Sequence, residues 1–96
     1  MNHELYQEHY KIIEDVLNER KRQNDKFGTA RNQHPFLWNT ILVEEVGEAA
    51  KESLDIYFKT DQLDKDNALK KYRKELIEVA AVAIATIQDL DNNGIY

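Results

Sequence analysis

Cysteine is absent from the 96-residue chain, so neither a disulfide framework nor thiol chemistry is available to it. Proline occurs once and glycine three times, which leaves room for long uninterrupted helices. Long hydrophobic runs are also missing, because the longest nearly apolar stretch, Leu76–Ile87, is shorter than the about 20 residues that span a bilayer. The N-terminal residues lack an apolar signal core. We therefore expect a cytoplasmic protein that makes no use of a membrane.

Positive charge is in short supply as well. Lysine and arginine together number 13 against 18 aspartates and glutamates, which gives a formal net charge of −5 at pH 7. A nucleic-acid-binding surface is normally basic, so we expect no nucleic-acid partner. An acidic protein can still bind phosphate groups where metal ions bridge the two.

The apolar residues recur at helical spacing in three segments, with no strand pattern and no internal repeat. The first segment is His3 to Lys26 and the second runs from Pro35 to about Lys59. The third follows a polar connection, Thr60–Asp66, in which Asp64 or Asp66 is a candidate N-cap, and it continues to about Asp91. This pattern predicts an all-α fold of three main helices in a single domain, residues 1–96.

The second segment has two contrasting faces. Apolar side chains form one broad face: Leu42, Val43, Val46, Ala49, Ala50, Leu54 and Tyr57. Five acids crowd into an arc of about 100° on the other side: Glu44, Glu45, Glu48, Glu52 and Asp55. Like charges at i,i+4 destabilise a helix by a few tenths of a kcal/mol. The acids are therefore either a solvated face or a site for something positive.

The third segment carries a carboxylate inside an apolar run. From Leu76 to Ala85 every residue is apolar except Glu78. A helix that is apolar on nearly all sides is buried on nearly all sides, and an unpaired buried charge costs several kcal/mol. Glu78 is therefore expected to be protonated, paired with a base or bound to a metal.

Two pairs of glutamates share a spacing of three residues: Glu45 with Glu48, and Glu75 with Glu78. Each pair projects from one face of its helix, and two such pairs facing each other supply only oxygen ligands. That ligand set suits Mg²⁺ or Mn²⁺ better than Zn²⁺. Di-iron carboxylate chemistry is disfavoured because no histidine follows a glutamate at the Glu-x-x-His spacing.

Three helices of this composition leave too much apolar surface for one chain to cover. The third helix needs neighbours on nearly all sides, and two other helices cannot supply them. The sequence therefore predicts self-association as a homodimer or homotetramer, in which helices from two chains complete a four-helix-bundle-like core.

Basic residues cluster near the end of the first helix and again just before Glu75. Arg20, Lys26 and Arg73 are our candidates for binding phosphate groups of a ligand. The alternatives are interaction with a helix C-terminus and simple solvated surface. Trp38, the only tryptophan, is a candidate to stack on an aromatic ring of a ligand, or else belongs to the core or to an interface between chains.

The motif residues resemble a known family. E-E-V-G-E at Glu44–Glu48, followed by E-L-I-E at Glu75–Glu78 in an Ala/Val-rich helix, resembles the all-α nucleotide pyrophosphohydrolases of the MazG type, whose motif is EExxE followed by ExxD. The run Glu19–Gly28 and the His34-Pro35 pair resemble the short phage and prophage-type members. The resemblance covers roughly residues 19 to 90. Glu78 stands where the family usually has an aspartate.

The resemblance implies a Mg²⁺-dependent hydrolase that converts a nucleoside triphosphate into the monophosphate and pyrophosphate. Glu45, Glu48, Glu75 and Glu78 are then expected to hold the metal ions, with Mn²⁺ as a possible substitute. Glu44, the extra acid of the motif, is expected to orient or deprotonate the attacking water. One alternative is a non-catalytic helical interaction module whose acidic face meets a basic protein partner, and the position of Glu78 inside its apolar run disfavours it. Another is a member of the family that binds nucleotides without hydrolysing them efficiently, because Glu78 replaces the usual aspartate.

Overall fold

The computed structural model describes residues 3–27, 34–59 and 61–94. They form three helices: α1, His3–Phe27; α2, Pro35–Phe58; and α3, Gln62–Asn93. No strand occurs in these described ranges, so the predicted all-α fold with three helices is confirmed. None of the three helices is both long enough and apolar enough to cross a membrane, as far as the described residues go.

The start of α3 corrects one prediction. Asp61, not Asp64 or Asp66, is the N-cap: its side chain accepts a hydrogen bond from the Asp64 amide at 3.1 Å. An N-cap residue needs a non-helical backbone, and Asp61 is extended, with φ −81° and ψ 131°. Asp64 lies in the first helical turn instead, where a negative charge interacts favourably with the helix dipole. The polar residues 62–66, predicted to belong to the connection, form the start of α3.

The central helix is α3, because α1 and α2 both pack against it. The α2–α3 pair is antiparallel: Trp38 near the start of α2 lies beside Asp89 near the end of α3, and Glu52 farther along α2 lies beside Lys71. Helices α1 and α3 are parallel, since Asp15 accepts a hydrogen bond from Arg73 at 2.8 Å and the later residue Arg20 donates to Gln88 at 3.4 Å. Among the described residues α1 packs against α3 but not against α2, and a cleft lies between α1 and the other two helices.

The core is small and is centred on Trp38. This side chain is 6% exposed and packs with Val82 and Ala85 of α3, while Ile41 and Leu42 cover it partly. Its indole Nε1 donates a hydrogen bond to Asp89 Oδ2 at 3.0 Å. Of the alternatives that the sequence leaves for Trp38, the structure therefore places it in the core.

Much of the apolar face of α2 lies outside this core. Ala49 is buried, but Val43, Val46, Leu54 and Tyr57 are exposed in the single chain. In α3, Ala81, Val82 and Ala85 are buried, whereas Leu76 and Ile87 are exposed. Burial of α3 on nearly all sides, expected from its composition, is thus not reached within one chain.

Asp89 is a buried aspartate of the core that accepts hydrogen bonds from two neutral donors. Trp38 Nε1 donates at 3.0 Å and Asn93 Nδ2 at 2.7 Å. We expect Asp89→Leu to lower the free energy of unfolding by about 1–3 kcal/mol, because it leaves the buried Trp38 N–H without its acceptor. Asp89→Asn keeps an acceptor oxygen and is expected to cost less. Urea unfolding followed by Trp38 fluorescence measures both, and an equal loss in the two variants would contradict this role of the hydrogen bond.

Candidate metal site

Four glutamates meet where α2 and α3 cross. Each of Glu45, Glu48, Glu75 and Glu78 offers a carboxylate oxygen, and these oxygens all lie within 4.8 Å of one another. The antiparallel packing of the two helices brings the ExxE pair of α2 opposite the ExxE pair of α3. Three of the side chains are half-buried and Glu48 is exposed, so the glutamate cluster lies at the edge of the core rather than in it.

Burial and mutual repulsion make this cluster electrostatically unfavourable without a cation. Burial, followed by the charge of Glu48, raises the pKa of Glu45 to about 7. Burial and interaction with Glu78 raise the pKa of Glu75 to about 7. One oxygen of each of these two, Glu45 Oε2 and Glu75 Oε2, is buried without a hydrogen-bond partner. Two oxygens that lack a donor, in a set of hard oxygen ligands, fit a divalent cation of the Mg²⁺ or Mn²⁺ type.

A cleft of 310 Å³ adjoins the cluster and includes Glu45 and Glu78 in its wall. Its apolar part comes from the core: Trp38, Ile41 and Val82. Its polar part comes from one side of α1: Glu19, Arg22, Gln23 and Lys26. The cleft thus combines an acidic end, formed by the glutamate cluster, with cationic side chains on the facing helix.

The structure brings Lys26 and Trp38 to this cleft, but not the other two predicted substrate-binding residues. Arg20 lies elsewhere, donating hydrogen bonds to Gln23 Oε1 at 2.9 Å and to Gln88 Oε1 at 3.4 Å. Arg73 donates to Asp15 at 2.8 Å, and neither arginine lines the cleft. Glu44, the predicted base, is exposed and stands outside the glutamate cluster. It lies one helical turn from Glu48 on the same edge of α2.

Sequence reasoning missed Arg22, which the structure places where Arg20 was expected. Two residues along a helix correspond to a rotation of about 200°, so Arg20 and Arg22 project from opposite sides of α1. The signal was available, because Glu19, Arg22, Gln23 and Lys26 are spaced three and four residues apart and therefore share one face. Of the three basic residues predicted to bind the ligand, only Lys26 lies on that face.

Arg22 is held by an ion pair with Glu19. Its Nε donates to Glu19 Oε1 at 2.7 Å and its Nη2 donates to Glu19 Oε2 at 2.6 Å. The hydrogen bonds from Arg22 are the main reason that the pKa of the Glu19 carboxyl lies below its ordinary value. Glu19 is therefore ionised at neutral pH and adds a fifth carboxylate to the surroundings of the cluster.

The chain matches no protein-family model, no curated protein and no solved structure in the comparisons with known proteins. The glutamate cluster and the cleft are the features of the described residues that bear on its function. Chemically, the pair of features suits a ligand that carries several negative charges and binds through metal ions at one end and through cationic side chains at the other.

Proposed function

We propose that the protein is a Mg²⁺-dependent nucleoside triphosphate pyrophosphohydrolase. The observation that carries the proposal is the meeting of Glu45, Glu48, Glu75 and Glu78 within 4.8 Å, with two buried oxygens that lack a donor. A divalent cation would offset the repulsion among the four carboxylates and would give the two buried oxygens a partner. The adjoining cleft with Arg22 and Lys26 supports a polyphosphate ligand. The choice of reaction comes from the resemblance of the EEVGE and ELIE motifs to the MazG-type enzymes.

In the proposed mechanism the four glutamates would hold Mg²⁺. It would neutralise charge on the phosphate oxygens and make the attacking water more acidic. Arg22 and Lys26 contact non-bridging phosphate oxygens, for which a guanidinium is well shaped. Glu44 accepts the proton of the attacking water. The water oxygen bonds to the α-phosphorus while the bond from that phosphorus to the α,β-bridging oxygen breaks, which yields the nucleoside monophosphate and pyrophosphate.

Trp38 contributes to the cleft chiefly as a fixed wall. With 6% of its surface exposed, it offers little area for stacking. A base would then contact the margin of its ring, together with Ile41 and Val82.

The proposal is tested by incubating the protein with Mg²⁺ and a panel of ribonucleoside and deoxyribonucleoside triphosphates, with pyrophosphate and the monophosphate as the products measured. Glu52→Gln is the matched control, because Glu52 is another α2 carboxylate that lies 3.9 Å from Lys71 and outside the cluster. We expect EDTA to abolish turnover and Glu52→Gln to retain it. Nucleotide binding without turnover would contradict the proposed enzymatic activity and favour a non-catalytic nucleotide-binding module.

We further propose that two chains share a core through the exposed apolar side chains of α2 and α3. In α3, Leu76, Ala80, Ala83, Ile87 and Leu90 alternate in steps of four and three residues, the spacing of a helix that packs against a partner helix. Leu76, Ile87 and Leu90 are exposed in the single chain. A second copy would cover this stripe and complete a four-helix bundle, in a homodimer or in a homotetramer made of two such pairs.

Light scattering at micromolar concentration is expected to give at least twice the 11.3 kDa mass of the chain. Ile87→Glu, on the α3 stripe and 57% exposed in the single chain, should lower that mass because a charge cannot be buried between two chains. Leu63→Glu is the control, since Leu63 is 68% exposed and lies off the stripe. A monomeric wild-type protein that melts cooperatively would contradict the shared core.

A further inference from the structure

We propose that Glu19 is a positioning residue that holds the Arg22 guanidinium in the cleft and keeps it off the glutamate cluster. This inference rests on the proposed function, since it concerns the access of divalent cations to the four glutamates. Glu19 belongs to none of the motifs assigned to metal binding or catalysis, and it touches neither ion nor substrate in this role. Its effect is exerted through Arg22.

The contact between the two residues fixes the orientation of Arg22. Both oxygens of Glu19 are engaged by the guanidinium, at 2.7 and 2.6 Å. Such a bidentate, charge-assisted pair is among the stronger contacts of its type and sets the plane of the guanidinium. The Glu19 side chain is 11% exposed and the Arg22 side chain 54% exposed, so Glu19 is the more enclosed partner and water screens the pair from the Arg22 side.

Glu19 is in turn anchored to the rest of the molecule. Gln23 Nε2 donates to Glu19 Oε2 at 3.2 Å, and Gln23 Oε1 accepts from Arg20 Nη1 at 2.9 Å. Arg20 Nη2 donates to Gln88 on α3 at 3.4 Å. This hydrogen-bonded chain connects Glu19 to α3 through Gln23 and Arg20. Glu19 is therefore the fixed partner of the pair, and Arg22 is the side chain that it positions.

Arg22 needs such a restraint because the glutamate cluster attracts it. After Glu19, the charges of Glu78 and Glu45 also raise the pKa of Arg22. Arg22, Glu45 and Glu78 line the same cleft, so without Glu19 these two carboxylates are acceptors that the guanidinium meets there. A guanidinium paired with them would occupy the oxygens that the cation needs. Glu19 thus leaves Arg22 available to an anionic ligand and leaves the cluster available to the cation.

A neighbouring ion pair on α1 provides a matched control. Lys21 Nζ lies 2.7 Å from Asp25 Oδ2, with both side chains largely exposed. Like the Glu19–Arg22 pair, it joins a basic side chain to a carboxylate, and Lys21 is next to Arg22 in the sequence. It does not line the cleft, so its removal alters the charge of α1 without altering the position of Arg22.

The test is a double-mutant cycle on Mn²⁺ affinity, measured without nucleotide by the electron paramagnetic resonance signal of free Mn²⁺. The four proteins are wild type, Glu19→Gln, Arg22→Met and the double variant, with melting curves to verify folding. We expect Glu19→Gln to weaken Mn²⁺ binding several-fold in the presence of Arg22, and to have little effect in the Arg22→Met background. The corresponding cycle with Lys21→Met and Asp25→Asn is expected to leave Mn²⁺ affinity unchanged.

The outcomes separate this inference from the proposed function. An equal weakening by Glu19→Gln in both backgrounds would show that its charge attracts the cation directly, and would overturn the positioning role. No weakening in either background would overturn it too. If wild-type protein binds no Mn²⁺, the proposed metal site itself is wrong and the inference is overturned with it.

Discussion

Glu78→Gln is expected to reduce Mg²⁺-dependent pyrophosphate release at least about 100-fold, since even partners outside the ligand set of a metal typically contribute about 10- to 100-fold. The substitution keeps the shape and volume of the side chain but removes the charge that a cation requires. Glu78 is half-buried and belongs to the glutamate cluster. Glu78→Asp restores the residue usual in the MazG-type motif and is expected to retain activity. Initial rates at saturating Mg²⁺ measure both effects.

The same variants distinguish the enzyme from a non-catalytic module. In such a module Glu78 would be an unfavourable buried charge, and both Glu78→Gln and Glu78→Leu would be neutral or stabilising. Melting curves with and without Mg²⁺ therefore accompany the rates, and Glu52→Gln serves again as the control outside the cluster. Full activity in Glu78→Gln would exclude this residue from the site and leave Glu45, Glu48 and Glu75 as the remaining ligands.

Stability is expected to depend on pH and on divalent cations together. Glu45 and Glu75 have an ordinary pKa near 4.5 and a pKa of about 7 in the folded protein. Between these values the folded state binds more protons than the unfolded state, so in EDTA the free energy of unfolding falls as pH rises from about 4.5 to about 7. A bound cation compensates for the lost protons. Mg²⁺ should therefore stabilise the protein more at pH 8 than at pH 5.

Melting temperatures at pH 5 and pH 8, each in EDTA and in Mg²⁺, measure this linkage. In a domain of this size each kcal/mol corresponds to about 4–8 °C, so a rise of several degrees with Mg²⁺ at pH 8 is expected. Glu75→Gln should raise the melting temperature in EDTA at pH 8 and weaken the response to Mg²⁺. If NaCl at matched ionic strength stabilises the protein equally, general screening explains the effect and no specific cation site is needed.

The three helices and the meeting of the two ExxE pairs could be predicted from the sequence, because both follow from periodicity. Residues three apart share a helix face, and Glu78 inside an apolar run has to lie near the core. The arginine of α1 that faces the cleft could not be predicted as readily. Periodicity defines the faces of α1 but not which of them lines the cleft, and that difference separates Arg22 from Arg20.

The side of α2 that is buried could not be predicted from the residue pattern of that helix alone. Its broad apolar face predicts burial of Val43, Val46 and Leu54, yet these are exposed in the single chain while Glu45 and Glu48 face α3. Only part of the apolar surface of a three-helix chain can be buried against its own helices. The packing of Trp38 against Val82 and Ala85, together with its buried hydrogen bond to Asp89, decides which part that is.

The most direct test of a cation site between α2 and α3 is anomalous X-ray scattering from crystals grown with Mn²⁺. We predict an anomalous peak enclosed by the carboxylates of Glu45, Glu48, Glu75 and Glu78, and its loss when EDTA-treated crystals are measured in the same way. Well-ordered side chains of these four residues with no anomalous peak among them, in crystals saturated with Mn²⁺, would contradict the metal site and the enzymatic function proposed from it.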